Sequence, residues 1–89
     1  MQETIGIAAF RSRQQVMRFE GALRRAGIHS RVISTPRDVS IGCGLSVQFD
    51  LGDKAQVFEV YRQTRPSNLI GFYTVVRDGR ARPQITPLM

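Results

Sequence analysis

One cysteine and one histidine are all that the 89-residue chain has of the residues that build disulfides and zinc sites. A lone cysteine closes no internal disulfide. With His29 as its nearest helper it falls short of a zinc ligand set, so no metal is expected. Long apolar runs are also missing. None approaches the roughly 20 residues that a membrane helix needs, and no membrane partner is expected. The N-terminus, Met1-Gln2-Glu3-Thr4, puts no positive segment ahead of an apolar one. No signal peptide is expected from it, and the cytoplasm is the expected location. Lysine is nearly absent: Lys54 stands alone against twelve arginines. Acidic residues are few, so the formal net charge is +6.

A positive balance suits nucleic acid, anionic membrane or acidic proteins. Here the arginines are scattered along the whole chain, which reads as a solvated basic surface. The hydrophobic fraction, 42%, with 22% charged residues, is that of a folded globular domain and not of a disordered segment. The length allows one domain, assigned to residues 1–78, followed by a tail at 79–89 expected to be irregular. A domain this small buries only about two-thirds of its unfolded surface. Its thin core invites a protein partner or a homodimer.

The apolar run Thr4 to Phe10 reads as a buried strand. Ser12 and Gln15 form an S-x-x-Q capping box. Val16, Phe19, Leu23 and Ala26 then follow at 3-4-3 spacing, which predicts a helix over Arg13 to Ala26. Gly27 is placed to terminate it. Ile28 to Ser34 alternates as a second strand, stopped by Thr35-Pro36. A loop runs from Arg37 to Gly44. Leu45, Val47 and Phe49 alternate with Ser46 and Gln48 in a third strand, and Asp50 to Asp53 turns the chain. Lys54 to Thr64 is a second helix with Val57, Phe58, Tyr61 and Thr64 inward, ended by Pro66. Leu69 to Arg77 is the fourth strand. The tail, with Pro83 and Pro87, is expected to carry no regular structure. The order β-α-β-β-α-β predicts an α+β, ferredoxin-like fold: a four-stranded antiparallel sheet with two helices on one face.

Chemistry concentrates between Thr35 and Leu45. This stretch holds a thiol, Cys43, between Gly42 and Gly44, with Arg37, Ser40 and Thr35 nearby. A cysteine reacts as thiolate, and its ordinary pKa near about 8.5 leaves little thiolate at neutral pH. Positive charge from Arg37, a hydrogen bond from Ser40 and backbone amides at the two glycines would favour the anion. The same glycines would let a large partner reach the sulfur. The alternative is structural. Free cysteine is among the most buried residue types, and glycines also serve sharp turns with positive φ. Pro36 and Thr35 shape the turn.

Outside the loop, His29 is a candidate base for Cys43 only where strand two sets it nearby; a lone strand histidine is more often a packing or surface residue. Phe72 and Tyr73 raise single-stranded RNA binding by stacking on an open sheet. The third strand, Gly44-Leu45-Ser46-Val47-Gln48-Phe49, lacks the aromatic run of RNA-binding sheets. Nucleic acid is therefore disfavoured, and open to this chain by charge alone.

The helix start Phe10-Arg11-Ser12, the stretch Ala22-Leu23 to Gly27-Ile28, and above all Thr35-Pro36-Arg37 with Ser40, Cys43 and Gly44 resemble the family of selenium/sulfur (Se/S) carrier-like proteins. These are small bacterial domains with a T-P-R segment followed by a Cys-Gly pair. The resemblance covers about Thr4 to Val76. It implies that Cys43 holds sulfur or selenium as a persulfide or selenopersulfide. Arg37 and Ser40 would tune the thiol, and Thr35, Pro36, Gly42 and Gly44 would frame it. It also implies donor and acceptor proteins as partners, and no cofactor. This chain departs from the pattern with Ile41-Gly42 before the cysteine, where a small polar residue is usual, and with Ser34 where proline is common. The other reading is a non-catalytic docking module, a small basic subunit of a larger complex, that would tolerate loss of the thiol. Either way the chain is a carrier or accessory protein before it is a stand-alone enzyme.

Overall fold

A strand that is apolar on both faces has to be covered on both, and that requirement organises this molecule. The computed structural model describes residues 3–36, 39, 44–77 and 83–88. The apolar strand is β1 (Glu3–Phe10), followed by α1 (Arg13–Arg25), β2 (Ser30–Ser34) and β3 (Leu45–Phe49). A 3-10 turn at Leu51–Asp53 leads into α2 (Lys54–Thr64), then β4 (Leu69–Arg77) and β5 (Gln84–Pro87). All neighbours pair antiparallel, in the order β2-β3-β1-β4-β5, with β1 in the centre.

Strand alternation divides the side chains between the two faces. Register sets Ala8 beside Val47 and Phe72. These three join Phe10 and Phe49 in a core with Val16, Phe19 and Leu23 of α1 and Val57 and Val60 of α2. Both helices therefore cover the same face. Phe72 is the hub of this layer. The rings of Phe58 and Tyr61 lie 4.9 and 5.3 Å from it, and those of Phe19 and Phe49 lie 6.3 Å away, all edge-on. Edge-to-face contacts align the positive rim of one ring with the negative face of the next. Gly6 is required beneath this layer, because a Cβ there would run into the Phe49 ring.

The opposite face carries a second apolar cluster, Ile5, Ile7 and Val75, with Ile33, Val39, Tyr73 and Ile85 packed around it. Ile7 is fully buried although no helix of the described chain lies on this side.

The structure corrects several expectations. The sheet has five strands, not four. The tail is not irregular over its whole length, because Gln84–Pro87 pairs with Tyr73–Val76. Its prolines are compatible with a strand because β5 lies at the sheet edge, where one side of the ladder needs no donor. Leu88 N–H then donates to Phe72 O at 2.8 Å, and its side chain joins the helix-side core. Ser12 occupies the N-cap position, but its hydroxyl makes no capping bond. The buried Val16-Phe19-Leu23 stripe is what holds α1 in place. Helix α1 ends one residue early, at Arg25. Gly27 N–H bonds Arg24 O at 3.0 Å, and Ile28 N–H bonds Leu23 O at 2.9 Å. This is a Schellman cap, with Gly27 at φ 80° in the left-handed region. The cap consumes Ile28, so β2 starts at Ser30 and not at Ile28. In α2 Val57, Phe58 and Tyr61 face the core as expected and Val60 joins them, while Thr64 is exposed and turns its hydroxyl back to Val60 O at 2.8 Å.

Candidate functional site

The β2–β3 connection is built from its base outward. The ladder of β2 and β3 runs up to the pair Ser34–Leu45. One further bond extends it: Thr35 N–H donates to Gly44 O at 2.7 Å. The two chain arms thus enter and leave the loop as hydrogen-bonded neighbours. A second contact locks the same place. The hydroxyls of Thr35 and Ser46 lie 2.6 Å apart, and either can be the donor. Ser46 is fully buried, so this bond satisfies an oxygen that water does not reach.

The loop does more than cap a hairpin. Val39 N–H donates to Pro36 O at 3.0 Å, closing a turn. The Val39 side chain packs on the Ile5–Ile7–Val75 cluster. Val39 is therefore set against the helix-free face of the sheet, half-buried there. On the return side, Gly44 is exposed and has φ 84°, with open space where a Cβ would sit. Backbone conformation requires this glycine; crowding does not.

Of the residues singled out from sequence, the structure brings Thr35, Pro36 and Gly44 together at the loop mouth. Cys43, Arg37, Ser40 and Gly42 lie outside the described residues. Cys43 is bonded directly to Gly44, so one side of the thiol-bearing residue is attached to an anchored glycine. His29 is not brought to this place. It is exposed and lies just before β2, while Thr35 follows the end of that strand. Six residues of extended chain separate them, roughly 20 Å. Phe72 is not available for stacking, because it is the buried hub of the helix-side core. Tyr73 lies half-buried on the other face, folded over Gly71.

Two residues of this site escaped sequence reasoning. Ser46 reads as an outward polar position between Leu45 and Val47. Val39 reads as one apolar residue in a loop. The available signal was the continuous apolar run of β1, which demands cover on both sheet faces. Among the described residues no three His, Cys, Asp or Glu side chains stand close enough to hold a metal ion. No helix among them is long and apolar enough to cross a membrane.

A model of the family described as "Putative Se/S carrier protein-like" matches residues 6–67, a span that contains the loop, both of its anchors and the single cysteine. No curated protein and no solved structure matched.

Proposed function

The chain belongs to the Se/S carrier protein-like family, and from that membership we propose that it carries sulfur or selenium on Cys43 between a donor protein and an acceptor protein. The observation that carries this reading is the family match across a loop that contains the only cysteine of the chain. Its anchored mouth supports it. A carrier thiol must be presented to two large partners in turn, and arms tied by the Thr35–Gly44 and Thr35–Ser46 bonds give such a loop a fixed base.

The exchange balances without an external oxidant. The Cys43 thiolate attacks the terminal sulfur of a donor persulfide. A bond forms between the two sulfurs, the donor's own S–S bond breaks, and the donor leaves as thiolate. An acceptor thiolate then attacks the terminal sulfur on Cys43 and releases Cys43 as thiolate. A selenopersulfide follows the same course. With no second cysteine in the chain, Cys43 has no internal partner to discharge it as a disulfide, so unloading falls to the acceptor. Arg37, Ser40 and the amides around Gly42 and Gly44 favour the anionic thiol and persulfide. Thr35 and Pro36 set the loop. We read β2-β3-β1-β4, with α1 and α2 on one face, as a ferredoxin-like core to which β5 is added.

The test is alkylation of Cys43 in the folded protein across pH, followed by loading with inorganic polysulfide. Fast alkylation that plateaus below the ordinary thiol value of about 8.5 is expected. Loading should add the mass of one sulfur, lost again to an acceptor thiol, and Cys43→Ser should not load. A thiol inert until the protein unfolds would sink the carrier reading and leave a docking module.

A further inference from the structure

Arginine is spread along the chain, yet the fold gathers part of it. Helix α1 and the segment after α2 enclose a groove of about 510 Å³. Its walls carry Arg18 and Arg25 on one side and Arg65 on the other, and no carboxylate lines it. The ion pairs of the two helices lie elsewhere: Arg24 with Glu20 at 2.8 Å, and Arg62 with Glu59 at 3.6 Å. Arg18, Arg25 and Arg65 have no carboxylate partner among the described residues.

Small and apolar Gly21, Ala22 and Pro66 share the lining with the neutral polar Gln15, Thr64 and Ser67, and the Arg25 guanidinium lies 3.4 Å from where a Gly21 Cβ would be. Met17 at the rim is 47% exposed, the one large hydrophobic residue standing in solvent among those described. Arg65 holds a left-handed backbone, φ 45°, which turns the chain back after α2 and brings this cation to the groove. Like charges held around one cleft repel each other, and an anionic occupant relieves that repulsion.

We propose that this groove is a docking site for an acidic segment of a partner protein. The segment's carboxylates would meet Arg18, Arg25 and Arg65, and an apolar residue would sit against Met17. Guanidinium forks match carboxylates two bonds at a time. A methionine is a contact that adapts to varied apolar side chains. Single-stranded nucleic acid fits less well, because its tight binding draws on exposed aromatic rings. The one ring lining the groove, Phe19, is buried. This site needs nothing of Cys43, so it stands or falls separately from the carrier chemistry.

The experiment measures fluorescence anisotropy of a short labelled peptide, glutamates around one central leucine, with the full chain. The peptide is expected to bind, and to weaken as salt rises and screens the charges. Arg18→Glu/Arg25→Glu should weaken it by about tenfold or more, while Arg18→Lys/Arg25→Lys, which keeps the charge and loses the fork, should weaken it by less. Arg31→Glu/Arg77→Glu makes the same change in net charge away from the groove and should weaken it less than about twofold. All these arginines are exposed, and a thermal melt on each variant checks that it remains folded. Absence of binding, or equal losses in the two reversal variants, would overturn the proposal. So would tighter binding of a labelled single-stranded oligonucleotide through the same arginines. A dimer that dissociates in Arg18→Glu/Arg25→Glu would assign the groove to a second copy and overturn it as well.

Discussion

Removing the Thr35 hydroxyl should cost more than removing the hydroxyl it bonds. The two oxygens are 2.6 Å apart, but their surroundings differ: Ser46 is fully buried and Thr35 half-buried. Thr35→Val keeps the shape and strands the Ser46 oxygen in a dry site. An unsatisfied buried hydroxyl costs about 1–3 kcal/mol. Ser46→Ala strands the Thr35 oxygen instead, which turns toward water at the loop mouth, and the loss should be about 0.5–1 kcal/mol. The double variant removes both partners and leaves no orphan. It should be no less stable than Thr35→Val alone, with a coupling of about 1 kcal/mol in favour of the pair. Urea denaturation measures all three, with the slope unchanged and the midpoint moved. In a thermal scan, 1 kcal/mol corresponds to about 4–8 °C for a domain of this size. Equal losses in the two single variants, or a double variant whose loss is their sum, would refute the claim that these hydroxyls satisfy each other.

Two further perturbations test the two faces of the sheet. Phe72→Ala removes the hub ring from contact with Phe19, Phe49, Phe58 and Tyr61. It should cost about 3–5 kcal/mol, much of the stability of so small a domain. A urea midpoint close to that of the unchanged protein would show that this layer is not the core. Val39→Ala takes two methylene equivalents from the half-buried loop contact with Ile5, Ile7 and Val75. Its expected cost is about 1 kcal/mol, read from the same denaturation experiment. No change would mean that Val39 lies on this face without adding to stability.

Much of this fold is legible in single residues. The Val16-Phe19-Leu23 spacing specifies which side of α1 is buried. Gly27 marks the helix end, because a left-handed position after the last turn strongly favours a residue without Cβ. The alternation of Leu45, Val47 and Phe49 specifies the core side of β3, and β4 spans the predicted Leu69–Arg77. The misses share a cause. Ser12 is the right residue type for a capping bond but does not make it. Gln84 to Pro87 is hidden in the sequence by Pro83 before it and Pro87 within it, and only the free edge of β4 makes a partner for it. At the loop, Thr35, Pro36 and Gly44 were identifiable as turn residues. Ser46 and Val39 were not, because their partners are far away in sequence.

By itself the sequence determined most of the periodic elements, the inward faces of α1 and β3, the family and the single thiol near the end of an eight-residue connection. Each of these depends on neighbours a few residues apart or on residue identity. Tertiary structure alone decided that the tail joins the sheet and that Val39 packs on the face the helices leave open. It also decided which arginines stand together without carboxylates. The reason is physical: local periodicity states that a face must be buried, but what buries it is chosen among all the segments of the chain by long-range packing and the loop closure that packing compensates.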